Sequence, residues 1–265
     1  MNGLWENYEV WFINLNFLHI LFIIIGIILA LILIFGLPRK KSLRKPSIEG
    51  IDSPDVAAAF EKMTNFLPFK LLHRKVLSQL KNYNPNGKLV DIGCGSGNVI
   101  IQIAKKFPNL DLIGVEISSE ILELAKKRAF ETKLNEKIDF KNGSVEKLPF
   151  PDNSIDFMLS TLSLHHWQEP TRALKEIYRV LKINGIILIF DFRRDSRKFF
   201  YGLLKFATKV VVPKALKRIN EPLGSLQAGY NPAEINQIIS QTPFNNIEIK
   251  PYLAWMFLKM VKRIE

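Results

Sequence analysis

Hydrophobic positions along this chain fall into one long unbroken run, followed by shorter runs that alternate between two periods. Residues 10–38 contain no Asp, Glu, Lys or Arg, and residues 17–37, FLHILFIIIGIILALILIFGL, are almost wholly aliphatic. At about 1.5 Å per residue, a helix of this length covers the roughly 30 Å hydrocarbon layer of a bilayer. A cleaved leader would have a basic start and a shorter apolar region ending in small residues. Here residues 1–9 have no basic residue, and PRKKSLRK follows the run. These flanks predict a single-pass anchor over 10–37. The basic residues Arg39, Lys40, Lys41, Arg44 and Lys45 should stay cytoplasmic, which sends the tail 1–9, with Glu6 and Glu9, outside. Trp5, Tyr8 and Trp11 then fall at the outer interface, and His19 reads as a tolerated polar residue near a helix end.

Beyond a basic linker at 38–55, apolar residues return at helical spacing over 56–83, where Pro68 predicts a division into two helices. Strand and helix patterns then alternate. KLVDI, DLIGVEI, IDF, SIDFMLSTL and GIILIFDF read as strands; NVIIQIAKKF, SEILELAKKRAFET and EPTRALKEIYRVLK read as helices. NPAEINQIISQ reads as a further helix, and NIEIKPYL and AWMFLKMVK as a terminal antiparallel strand pair. Such alternation predicts a doubly wound α/β domain over 56–265, with an open, mostly parallel sheet of seven strands. In such sheets ligands bind beyond the carboxyl ends of the strands.

One such end carries LVDIGCGSGN, residues 89–98, with Gly93, Gly95 and Gly97 at alternate positions and Asp91 inside the preceding strand. Glycine lets backbone pass close to a ligand because it has no Cβ and tolerates positive φ. A dinucleotide-binding turn would need its third glycine at position 98, which is Asn98. That spacing weighs against a nicotinamide oxidoreductase. Glu116 ends the second strand, where a carboxylate can accept both hydroxyls of a ribose, in NAD or in S-adenosylmethionine alike.

NGSVEKLPFPDNSIDFMLSTLSLHHWQEPTRALKEIYRVLKINGIILIFDF, together with LVDIGCGSGN and GVEIS, resembles the class I S-adenosylmethionine-dependent methyltransferases. The likeness is to the group that includes the ubiquinone and menaquinone biosynthesis C-methyltransferases, and it covers about residues 86–192. It implies a Rossmann-like fold, S-adenosyl-L-methionine as cofactor, methyl transfer as the reaction, and no metal. Carried over by position, Gly93, Cys94 and Gly95 match the turn beneath the methionine part of the cofactor. Asp91 matches the acid that orients that turn and the cofactor's amino group. Glu116 matches the ribose carboxylate, and Ile117 the residue that packs on adenine. Ser144, with Val145 beside it, stands where the family usually has an Asp that accepts a hydrogen bond from the adenine amino group. A hydroxyl replaces that contact weakly, so about 0.5–1.5 kcal/mol of cofactor affinity is at stake. Ser144 is also the one hint of a non-catalytic adaptor that has kept the sheet.

His165 and His166 follow the fourth strand, where an acceptor would meet the methyl group. Either is a candidate general base, though LHHW recurs in the family across unlike acceptors, which favours positioning. Cys94 has no basic neighbour in sequence and occupies a slot that takes small residues, so a nucleophilic role is not expected. As the single cysteine it also excludes an internal disulfide.

A formal charge of +12 favours anionic partners. Much of it sits in residues 193–219, RRDSRKFFYGLLKFATKVVVPKALKRI, where nine basic residues face one acid, Asp195. Interleaved aromatic and aliphatic residues make this segment read as a membrane-surface helix, with a lid helix as the alternative. Lys205, Lys209, Lys214, Lys217 and Arg218 would line one side, and Phe199, Phe206 and Val210 another. With an anchor upstream, a small lipophilic or lipid acceptor is the expected substrate, and nucleic acid is not. The helices before Asn84 and residues 196–231 are expected to close over the acceptor.

Overall fold

The computed structural model describes residues 18–46 and 54–263. The expected outer tail with Trp5, Tyr8 and Trp11, and linker residues 47–53, lie outside the described residues.

Helix α1 runs over 18–36 and is long and apolar enough to cross a membrane, with none of its most apolar window buried. It leads through an extended strap, residues 37–46, to α2 (Pro54–Thr64) and α3 (Leu67–Lys81). Pro68 sits in the first turn of α3, where its missing N–H and fixed φ do no harm. The domain then alternates β1 (Lys88–Ile92), α4 (Asn98–Lys106), β2 (Asp111–Glu116), α5 (Ser119–Glu131), β3 (Ile138–Asn142) and β4 (Ile155–Thr161). A single 3₁₀ turn, Leu164–His166, precedes α6 (Pro170–Val180) and β5 (Leu181–Phe192). Four helices follow, α7 (Lys198–Val210), α8 (Lys214–Arg218), α9 (Leu223–Ala228) and α10 (Pro232–Ile239), and then β6 (Asn246–Pro251) and β7 (Trp255–Val261).

The strands form one seven-stranded sheet in the order β3-β2-β1-β4-β5-β7-β6. The first five are parallel; β7 runs antiparallel to β5, and β6 antiparallel to β7. The order reverses between β1 and β4, so the ends of these two strands leave a crevice on the carboxyl side of the sheet. Side chains alternate between two buried clusters as strand geometry requires. Leu89, Leu112, Phe157 and Leu188 pack with α3 and α4 through Leu80 and Ile100, whereas Val90, Ile113, Met158 and Ile187 pack with α6 and α10 through Ile177 and Ile235.

Three expectations need correction. The pattern EPTRALKEIYRVLK reads as a helix to Lys182, but α6 stops at Val180. Leu181 instead pairs with Ile155 in the sheet, and Lys182 forms an ion pair with Asp156 at 2.7 Å. Residues 193–219 are not one helix. Pro213 disfavours helical backbone in the residue before it and breaks the segment after Val210, so Lys214, Lys217 and Arg218 leave the face that carries Lys205 and Lys209. Nor are the leading arginines on the surface. Arg193 is buried on Asp195 and the carbonyl of Tyr252; Arg194 is buried on the carbonyls of Ser42 and Gly229 and on Glu234.

The strap is likewise no free linker. Arg44 donates from Nε to the Ala228 carbonyl at 2.7 Å and from its terminal nitrogen to the His165 carbonyl at 2.8 Å, and stacks on the Tyr230 ring. The amides of Lys40 and Lys45 donate to the carbonyls of Ser196 and Gln227.

Candidate active site

A cavity of about 300 Å³ opens at the carboxyl ends of β1, β2 and β4. One wall is backbone. Leaving β1, the chain turns through Gly93 at φ +66° and Gly95 at φ +54° before entering α4. The amides of Gly93 and Cys94 donate to the Val115 carbonyl at 2.8 and 3.1 Å, which ties the turn to β2. A Cβ on Gly93 would stand 2.3 Å from Ser163 Oγ, whereas one on Gly95 would meet nothing within 4 Å. Gly93 therefore permits close contact with the loop after β4, and Gly95 borders open space.

Glu116 ends β2 on this wall, 8% exposed. Its Oε2 accepts from the Gly95 amide at 3.0 Å, and its Oε1 from the amides of Ile117 and Ser118 at 2.9 and 3.2 Å. These bonds fix the carboxylate against the turn. Ile117, Gly143, Ser144, Val145 and Glu146 continue the wall. Ile117 is more than half exposed, as suits a residue awaiting a flat ligand, and Ser144 Oγ accepts from the Glu146 amide at 3.2 Å.

Asp91 lies beneath the turn and does not line the cavity. Burial first, and then the charge of Glu116, push its carboxyl up to about 8, and neither oxygen has a hydrogen-bond partner among the described residues. A buried, unpartnered acid next to a second carboxylate suits a site that receives a cationic ligand. Cys94 lines the cavity, and burial, with Asp91 and Glu116 adding to it, holds its thiol protonated.

The opposite wall is made of side chains. Phe60 and Thr64 come from α2, Phe69 and His73 from α3, and Leu162, Ser163, His166 and Trp167 from the loop after β4. No lining residue comes from 196–231, which corrects the expected lid. That segment acts one layer back, with Val212 and Leu216 packing on Val56, Ala59 and Met63 of α2. Arg128 of α5 latches α2 to the glycine turn, with one nitrogen 2.7 Å from Glu61 Oε1 and another donating to the Ser96 carbonyl at 3.0 Å.

The two histidines separate. His165 is buried away from the cavity, with Nδ1 2.7 Å from Asp191 Oδ1 and its amide donating to Asp191 Oδ2 at 2.8 Å. Burial pulls its ring down, but the Asp191 carboxylate outweighs this and holds it above the ordinary histidine value. His166 lines the cavity, its ring 4.1 Å from that of His165. Burial, and then the nearby positive charges of His165 and Arg44, push it down to about 2. His73, which the lid pattern of α3 concealed, is pushed down to about 4 by burial and Arg128. Its spacing from Phe69, Val76 and Leu80 on one helix face was the available signal. Leu162, the residue after β4, holds φ +55° without being glycine, a conformation costing about 1 kcal/mol or more and secured here by its amide bond to Phe190 O at 2.8 Å.

The residues present fit S-adenosylmethionine. The turn is open at Gly95, a carboxylate is fixed at the ribose position, and an uncompensated acid lies beneath. Comparison with known proteins agrees. A family model described as a methyltransferase domain matches residues 90–189. The chain is 31% identical over 192 residues to the ubiquinone/menaquinone biosynthesis C-methyltransferase UbiE of Rickettsia bellii, covering 70% of this chain and 77% of that protein. Among solved structures it is similar to a SAM-dependent methyltransferase from Aquifex aeolicus, with TM-score 0.59, 17% identity, and coverage of 78% of this chain and 98% of that one. It is also similar to a Haemonchus contortus phosphoethanolamine N-methyltransferase complexed with S-adenosyl-L-methionine, with TM-score 0.61, 19% identity, and coverage of 82% and 59%. The chain belongs to the class I S-adenosylmethionine-dependent methyltransferases, in the group related to the ubiquinone/menaquinone biosynthesis C-methyltransferases.

Proposed function

We propose that this methyltransferase alkylates a ring carbon of a lipophilic quinol-type acceptor at the cytoplasmic face of a membrane in which α1 is embedded. The observation that carries this reading is the make-up of the second wall. Phe60, Phe69, Leu162 and Trp167 offer a flat apolar slot, with His73 and His166 as its ionisable groups. The R. bellii relative's name, a quinone-biosynthesis C-methyltransferase, agrees with such an acceptor.

Bound S-adenosylmethionine supplies a methyl group already activated on a sulfonium. The protein's task is then to align a nucleophile with the methyl–sulfur bond and keep water out. Glu116 would hold the ribose hydroxyls, Ile117 and Val145 would pack on adenine, Ser144 would take its amino group, and Gly93, Cys94 and Gly95 would form the turn beneath the methionine portion. Asp91 faces the cofactor's positive charge through the turn. His166 and His73 are neutral at physiological pH and too weakly basic to store a proton there. Both act as hydrogen-bond partners that orient an acceptor hydroxyl, and the proton displaced from the methylated ring carbon passes to solvent, while the S–CH3 electron pair stays on the departing sulfur. The basic strap residues and α1 keep the pocket near the compartment in which such an acceptor dissolves.

The test supplies full-length chain in lipid vesicles with radiolabelled S-adenosylmethionine and either a prenylated hydroquinone or phosphoethanolamine. Label on a ring carbon of the hydroquinone, located by mass spectrometry, is the expected result. Label on the amine, or none on the hydroquinone, overturns the acceptor assignment.

A further inference from the structure

Helix α7 has an outward face that the described residues leave open at Leu203, Phe206 and Val210, with Phe199 half-buried at its start. Tyr201 and Thr208 turn inward and are buried. At about 100° per residue, Phe199, Leu203, Phe206 and Val210 fall within an arc of about 60° on the outer side, and Lys198, Lys205 and Lys209 form a second row beside it. Leu203, Phe206 and Val210, with Val211 just past the helix end, are 50–62% exposed. Three large apolar residues left in solvent on one short helix, with a fourth just past its end and a row of lysines beside them, are the pattern of a helix that lies in a lipid headgroup boundary.

Position supplies the occupant. The last turn of α1, residues 32–36, touches α7. The Lys198 amide donates to the Pro38 carbonyl at 3.0 Å, and Arg197 donates to the Leu37 carbonyl at 2.8 Å. The helix therefore starts where the apolar span ends, and no residue in the most apolar window of that span is buried. We infer that α7 is an interfacial docking helix, seated in the anionic leaflet that α1 enters, with Phe199, Leu203, Phe206 and Val210 among the acyl chains and Lys198, Lys205 and Lys209 at the headgroups. This inference rests on the reading of α1 as a membrane anchor.

The docking helix also bears on the pocket. Val212 and Leu216, just beyond α7, pack on the face of α2 formed by Val56, Ala59 and Met63, and α2 carries Phe60 and Thr64 into the cavity wall. A leaflet that holds α7 therefore steadies, through Val212 and Leu216, the helix that carries Phe60 and Thr64 into the cavity wall.

The experiment uses the full chain in vesicles of phosphatidylcholine with phosphatidylglycerol. Nitroxide labels are placed through Phe206→Cys, Val210→Cys, Lys205→Cys and, inside α1, Leu29→Cys, with buried Cys94 left in place and the parent chain as the labelling control, and collisions with oxygen and with a water-soluble nickel chelate are compared. The labels at 206 and 210 should favour oxygen several-fold over the label at 205. Lys205→Glu with Lys209→Glu should shift both toward the nickel chelate when phosphatidylglycerol is present. Retention of a thermal shift with S-adenosylhomocysteine in the charge-reversed chain shows that the fold is intact. Nickel-dominated collisions at 206 and 210 with an oxygen-dominated label at 29 overturn the docking helix alone; a water-facing label at 29 overturns the anchor as well. Spin–spin broadening at 206 that dilutes out with unlabelled chain would assign the face to a second copy and also overturn the inference.

Discussion

The two walls of the cavity are built from different materials. The cofactor wall is mostly main chain: amides of the turn bonded to Val115 and Glu116, glycines at positive φ, and one carboxylate pinned by three N–H groups. The acceptor wall is side chains from α2, α3 and the loop after β4, held together by packing and by the Arg128 latch. Main-chain geometry tolerates little change, whereas a wall of side chains can be resurfaced without disturbing the sheet. One cofactor site can therefore serve many acceptors.

That contrast is broken most severely at Gly93. Gly93→Ala introduces a Cβ 2.3 Å from Ser163 Oγ at a backbone angle that penalises any side chain, so it should abolish the thermal shift given by S-adenosylhomocysteine. A shift equal to the parent's would show that the turn does not need the close approach. Next in size, Glu116→Ala should weaken cofactor binding by about 1.5–3 kcal/mol, roughly tenfold to 150-fold, read by calorimetry. Phe69→Ala tests the other wall. It should raise the acceptor KM several-fold and leave S-adenosylhomocysteine affinity unchanged; a matching loss of cofactor affinity would mean the walls are not separable.

Asp91 sharpens the comparison through pH. Its carboxyl titrates near 3.8 when unfolded and near 8 when folded, so between these values the folded chain holds a proton that the unfolded chain has lost. The ligand-free protein should therefore lose stability as pH rises from about 4 to 8, and Asp91→Asn should flatten that slope. Binding a cationic cofactor near neutral pH should release a proton, seen as calorimetric heats that vary with the buffer's ionisation enthalpy. The smallest effect belongs to Ser144. Ser144→Asp should improve cofactor affinity by about 0.5–1.5 kcal/mol, the worth of one hydrogen bond; no gain would mean that the adenine amino group lies elsewhere.

What could be read from the sequence follows the same division. The turn, Glu116 and the alternating elements through β5 are local patterns, each determined by a few neighbouring residues, and the terminal strand pair was equally plain. Of the acceptor wall, the helices before Asn84 and His166 were readable, but His73 and Phe69 were not, because they look like any inward face of an amphipathic helix until the fold brings them to the cavity. Charge misled most at Arg193 and Arg194. A run of basic residues suggests solvent, yet Arg194 finds two carbonyls and a carboxylate supplied by distant segments, and Arg193 adds the distant Tyr252 carbonyl to its neighbour Asp195, which no local pattern of charge records. Pro213 was a legible breaker that the strong apolar and basic periodicity around it obscured.

Residues 37–46 look like the natural place to cut the chain and obtain a water-soluble enzyme. Such a cut would remove a strut. Without Arg44, the carbonyls of Ala228 and His165 lose their donor, the Tyr230 ring loses its stacking partner, and buried Arg194 loses the Ser42 carbonyl. The fragment would keep every cofactor-binding residue and still carry a loosened loop beside His166. Kinetics measured on it would describe a dismantled machine, and a soluble preparation should retain residues from Leu37 onward, with any further changes confined to the exposed face of α7.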